Sequence, residues 1–133
     1  AAALVQGAPL VSLRVPVAND EELHSPSVVK VVCDDSDRAL YFSRAPIPHG
    51  TIANRAYRHI GVYGYGADAL RRWTQAPMHE LERAERLEQL RALAMGIPIT
   101  MINAHTAGRG IDTPEDLAWA RERFEELGES VFP

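Results

Sequence analysis

Apolar residues recur at two different periods in this chain, and the two periods take turns along it. Residues 10–17 (LVSLRVPV) and 58–66 (RHIGVYGYG) alternate apolar and polar positions, the period of a half-buried strand. VVKVVCD (28–34) is β-branched, ALYFSRA (39–45) follows it across a short DDSDR turn, and PITMINA (98–104) reads as a further strand. Between them, ADALRRWTQA (67–76) and HELERAERLEQLRALAMG (79–96) change to a 3–4 residue spacing. In the second, Leu81, Ala84, Leu87, Leu90 and Ala94 form one stripe, Glu82 and Arg86 stand at i,i+4, and Gly96 supplies a C-cap. Thr113-Pro114-Glu115-Asp116 opens a last helix, with a capping Thr, Pro at the first helical position and acids in the first turn. Strands taking turns with helices predict an α/β layer architecture.

Polar or proline-bearing segments separate these elements. NDEELHSPS (19–27) ends in a Ser-Pro-Ser turn signal, and PIPHGTIANR (46–55) reads as a loop. A length of 133 residues fits one domain, 1–133, and 46% apolar residues suffice for a core without staples.

Charge narrows the functional classes. The formal net charge of −4 disfavours a nucleic-acid partner, which calls for a basic face. Thirteen of the 14 basic residues are arginine, and Lys30 is the single lysine. Cys33 is the only cysteine, so no intrachain disulfide forms and a reducing, cytoplasmic setting is expected. No apolar run approaches the ~20 residues that a membrane-spanning helix requires, and AAALVQGAP does not read as a secretory signal.

Four segments carry side chains suited to ligand chemistry. Along RHIGVYGY, residues His59, Gly61, Tyr63 and Tyr65 share a strand face, and Gly61 leaves a gap between an imidazole and a phenol. Such a gap suits a polar ligand, or is the face of a half-exposed strand. Arg44 ends a strand where α/β sheets bind ligands, and its planar fork suits a carboxylate or phosphate; equally, it is a surface arginine. Glu85, Glu88 and Gln89 border one edge of a helical stripe, as acceptors for hydroxyls or as a solvated flank. Asp112 precedes a helix start after a glycine loop, as a divalent-cation ligand or as part of a capped entry. The five histidines show no metal-ligand spacing, and no P-loop, HExxH or GxSxG motif is present.

Taken together, PSVVKVVCD, ALYFSRAPIP, RHIGVYGY, ALRR, LERAERLEQLRAL and GRGIDTPEDL occur in an order that resembles the C-terminal half of 3-deoxy-manno-octulosonate (Kdo) cytidylyltransferases. The resemblance implies a GT-A-like nucleotidyltransferase fold, a mixed sheet with flanking helices, and a cytoplasmic homodimer serving lipopolysaccharide biosynthesis. It implies transfer of CMP from CTP to Kdo with Mg²⁺, releasing pyrophosphate. By resemblance, Arg44, His59, Tyr63, Glu88 and Gln89 fall on sugar-acid-binding positions and Asp112 on a metal-binding aspartate.

The family's N-terminal nucleotide-binding half, with its PARxxSxRLPGK and NVQGDEP segments, has no counterpart here. The chain alone is therefore expected to be inactive, with an unpaired sheet edge that favours self-association. The connection from Pro48 to Arg58 is shorter than in the family. That motivates a smaller acceptor, such as phosphonoformate, as an alternative. A non-catalytic dimerisation or ligand-binding module is a third possibility.

Overall fold

The computed structural model describes residues 7–104 and helical positions 114, 115, 117, 118, 121 and 122. In chain order the elements are β1 (Leu10–Pro16), α1 (Asp20–His24), β2 (Lys30–Cys33), β3 (Ala39–Ser43), a 3-10 turn (Ala53–Arg55), β4 (Tyr57–Tyr65), α2 (Ala67–Gln75), α3 (Glu80–Glu85), α4 (Gln89–Ala94) and β5 (Ile99–Asn103). The strands form one mixed sheet in the order β3-β2-β4-β1-β5, in which only β1 and β5 run parallel. The α/β architecture expected from the two periods is present. The expected hairpin is also present: Asp34 accepts the backbone N–H groups of Ser36 and Arg38, and Asp37 takes a left-handed φ of 60°.

Leu10, Phe42, Leu90, Ile99 and Met101 are buried in the main core, where β1, β3 and β5 meet α4. Strand β1 departs from the simple reading of its alternation. Its polar residues, Ser12 and Arg14, are as buried as its valines. Arg14 lies 4.5 Å over the Tyr57 ring and donates to Asn103 Oδ1 and to Asp37 Oδ1. One guanidinium thus ties β1 to β4, to β5 and to the tip of the β2–β3 hairpin. The hairpin tip also reaches β5 through its backbone, with Met101 N–H donating to Asp37 O at 2.7 Å.

Two helical expectations change. The 19–27 segment holds the short helix α1, capped by Asn19 Oδ1 on the Glu22 N–H, and Leu23 is buried beside Val17 and Ala56. The helix expected over 79–96 is broken into α3 and α4. Arg86 ends α3 at φ 55°, and Leu87 folds inward before α4 begins. The break takes Leu81 out of the expected stripe, leaving it 37% exposed. It also dissolves the expected Glu82–Arg86 pair. Glu82 instead receives two hydrogen bonds from Arg91, at 2.7 and 2.6 Å, which clamp α4 to α3 and hold the Glu82 carboxyl below its usual range. At the last expected helix the described positions are helical; its Thr113 cap lies outside the described residues.

The single lysine is fully buried at the start of β2. Its Nζ donates to the carbonyls of Ser25, Val28 and Arg44 at 2.8, 2.5 and 2.6 Å, so each ammonium proton has an acceptor. Burial, helped by the nearby Arg44 charge, pushes the ammonium below its usual range. Lys30→Met keeps the stem but takes a donor from three carbonyls, of which Ser25 O keeps the Val28 N–H at 3.2 Å. It is expected to cost about 2–4 kcal/mol in urea denaturation; an unchanged midpoint would show that these carbonyls find other partners.

Candidate functional site

The site is built around an irregularity in β4. Ser12 pairs with Tyr63 and the next residue, Leu13, pairs with Ile60, so Gly61 and Val62 bulge out of the ladder. Ser12 Oγ sits within this bulge, 2.9 Å from Val62 O and 3.2 Å from Ile60 O, and 2.7 Å from His59 Nε2. The carbonyls only accept, so the Ser12 proton goes to the bulge and its oxygen accepts from His59 Nε2–H. That assigns the neutral imidazole with its lone pair on Nδ1. Burial lowers the His59 pKa to about 4, which keeps the ring neutral near pH 7. Phe42 and Tyr63 flank the ring at 5.0 and 5.4 Å between centroids. Burial raises the Tyr63 pKa, so the phenol stays protonated.

The opposite wall is the α3–α4 junction, held from behind by Arg44. The Arg44 guanidinium donates to Glu85 O at 2.9 Å, Pro26 O at 2.8 Å and Arg86 O at 3.3 Å. Its backbone N–H donates to Glu85 Oε2, while Ser43 Oγ donates to Glu85 Oε1. Arg44 thereby satisfies carbonyls at the C-terminal end of α3 that a continuing helix would have used. After this junction come Glu88 and Gln89, and Trp73 Nε1 of α2 donates to Glu88 O at 3.2 Å.

Between the walls lies a cavity of about 330 Å³ lined by Val29, His59, Gly61, Tyr63, Trp73, Arg86, Leu87, Glu88 and Gln89. Four of the five residues singled out from the sequence as substrate contacts therefore meet at one cavity. Arg44 does not line it; it stands behind the wall with its donors directed to carbonyls. Glu85, read beside Glu88 as one helix edge, instead anchors the end of β3. Trp73 and Arg86 also line the cavity, and nothing in their local sequence marks them. Gln89, 5% exposed, is the most buried of the polar side chains that line the cavity. A Cβ on Gly61 would meet no atom within 4 Å, so this glycine widens the cavity without being required by packing. A larger hollow of about 460 Å³ lies beside Arg14, Cys33 and Tyr57, but its buried cation already serves Asp37 and Asn103. The smaller cavity, which gathers His59, Tyr63, Glu88 and Gln89, is the better candidate.

Asp112 lies outside the described residues. Among the described residues no cluster of three or more His, Cys, Asp or Glu side chains is able to hold a metal, and no helix is long and apolar enough to cross a membrane.

A family model described as cytidylyltransferase matches residues 4–100. A 3-deoxy-manno-octulosonate cytidylyltransferase from Gemmatimonas aurantiaca is 45% identical over 127 residues, which cover 90% of this chain and 49% of that protein. The chain belongs to the cytidylyltransferase family. A 3-deoxy-manno-octulosonate cytidylyltransferase from Leptothrix cholodnii is 50% identical over 115 residues, covering 78% of this chain and 42% of its own length. A solved structure of CMP:2-keto-3-deoxy-manno-octonic acid synthetase complexed with CTP superposes with a TM-score of 0.83 at 36% identity, over 95% of this chain and 55% of that one. The mixed sheet and helices are thus those of this family's nucleotidyltransferase fold. The chain spans about half the length of the curated family members it matches.

The buried neutral imidazole makes a pH prediction. The folded pKa of His59 lies below the unfolded value, so the stability it contributes is complete above about pH 6.5 and is lost as pH falls toward 4. Urea titrations should lose about 2–3 kcal/mol across that window, and His59→Gln should flatten the slope. A slope that persists in this variant would assign the titration elsewhere.

Proposed function

We propose that this chain is the acid-binding part of an enzyme that transfers CMP from CTP to Kdo and releases pyrophosphate. The observation that carries this reading is the convergence of His59, Tyr63, Glu88 and Gln89 on one cavity. A few polar side chains converging on one hollow suit a polar ligand. The four side chains offer complementary roles: His59 Nδ1 and Glu88 accept from hydroxyls, the Tyr63 phenol donates, and the Gln89 amide does both. A polyhydroxylated acid matches such a set.

In the proposed reaction the anomeric hydroxyl of the acid attacks the α-phosphorus of CTP, the bond to the departing pyrophosphate breaks, and CMP is joined to the sugar oxygen. This chain's contribution is to hold the acceptor so that its hydroxyl is aimed, which is catalysis by positioning. Arg44 keeps the wall in place from behind. Mg²⁺ would neutralise charge on the CTP phosphates, with Asp112 supplying one carboxylate. The working enzyme is a cytoplasmic homodimer, and residues 1–133 without a CTP-binding half do not turn over.

Pyrophosphate release by the full-length protein, with CTP and Mg²⁺, tests the reading. Addition of Kdo should stimulate release at least tenfold. Stimulation by phosphonoformate in place of Kdo would move the acceptor to the smaller acids suggested by the short 49–57 connection. Gly61→Val should change the unfolding free energy in urea by no more than about 1 kcal/mol, since a Cβ there meets no atom within 4 Å. The same variant should raise the KM for Kdo by at least about tenfold, because it narrows the cavity. Unchanged kinetics in Gly61→Val would place the acid elsewhere.

A further inference from the structure

We infer that Arg86 is a specificity-determining residue that reads the negative charge of the acid substrate at this cavity. The inference rests on the acid-binding reading above and adds a residue to it. A polyhydroxylated acid differs from a neutral sugar by its carboxylate, and the four side chains described so far supply no cation. The surrounding cations are largely committed. Lys30 has all three Nζ protons on carbonyls. Each nitrogen of the Arg44 guanidinium donates to a carbonyl behind the wall. Arg91 is held by Glu82 and Ala76 O. Arg86 lines the cavity, and its side chain makes no hydrogen bond or ion pair among the described residues.

Backbone geometry supports the assignment independently. Arg86 occupies the left-handed C-cap of α3, with its N–H on Glu82 O and its own carbonyl held by Arg44. Glycine or asparagine suits such a cap best, and a residue with a long side chain is disfavoured there by its Cβ. Local stability therefore does not call for arginine, and the side chain's use is at the cavity. A planar guanidinium on a fixed backbone suits a carboxylate.

The test compares two ligands and three proteins. Kdo and its uncharged C1 amide are titrated against the wild type, Arg86→Gly and Arg86→Lys, with ligand-observed NMR for affinity and thermal unfolding for stability. The wild type should favour the acid over the amide. Arg86→Gly should bind the acid about tenfold more weakly, the amide unchanged, with a melting temperature equal to or above that of the wild type. Arg86→Lys should fall between, and added salt should erode the wild-type preference for the acid. Equal affinities of wild type and Arg86→Gly for the acid would overturn the inference. So would equal losses for acid and amide, which would mark a structural role. Failure of the wild type to bind either ligand would instead overturn the acid-binding reading, and the inference with it.

Discussion

The cavity depends on charges placed where no ligand reaches. Lys30 holds three carbonyls, one of which belongs to Arg44. Arg44 in turn satisfies the carbonyls of Glu85 and Arg86, and the Glu85 carboxylate returns to the Arg44 N–H. Burying an ammonium and a carboxylate is costly unless each finds partners, and here most of the partners are backbone. The result is a junction between two short helices whose path is set by the sheet beneath it, not by its own helical propensity. Remove the lysine and the turn at 25–28, the end of β3 and the end of α3 lose a common anchor.

On the sheet side a hydroxyl does comparable work. Ser12 fills the β4 bulge, satisfies a carbonyl that the ladder leaves free, and fixes the His59 tautomer. Arg14, two residues along on the same strand, draws the hairpin tip toward β5. A strand that looks half-solvated therefore carries its polar residues toward the interior, where they organise neighbouring elements.

These two features mark the boundary of what the sequence made legible. The period of two located β1 and β4, and the His59–Tyr63 spacing placed two side chains on one wall. Period alone does not say which face is covered, so the burial of Ser12 and Arg14 stayed hidden; their partners lie on β4, β5 and a distant turn. Helix α1 had a local signal in Asn19 and Glu22, a capping pair overshadowed by the polar run around it. The break at Arg86 had none. The leucine spacing continues through residues 81–90, and the group that ends α3 is Arg44, some forty residues earlier in the chain. Tertiary contact overrode local propensity there. Glu88 and Gln89 could be picked out as neighbours on an edge, but the cavity they face exists because that edge is bent.

The bend has a further consequence for how this site can change over time. Its backbone is fastened from the rear, by groups that neither line the cavity nor share its chemistry. Side chains at 86, 88 and 89 are carried on that frame without having to build it. Successive substitutions at the front can therefore alter which acid is welcomed while the chain path stays put. Drift in the rear anchors, by contrast, would shift all three positions together.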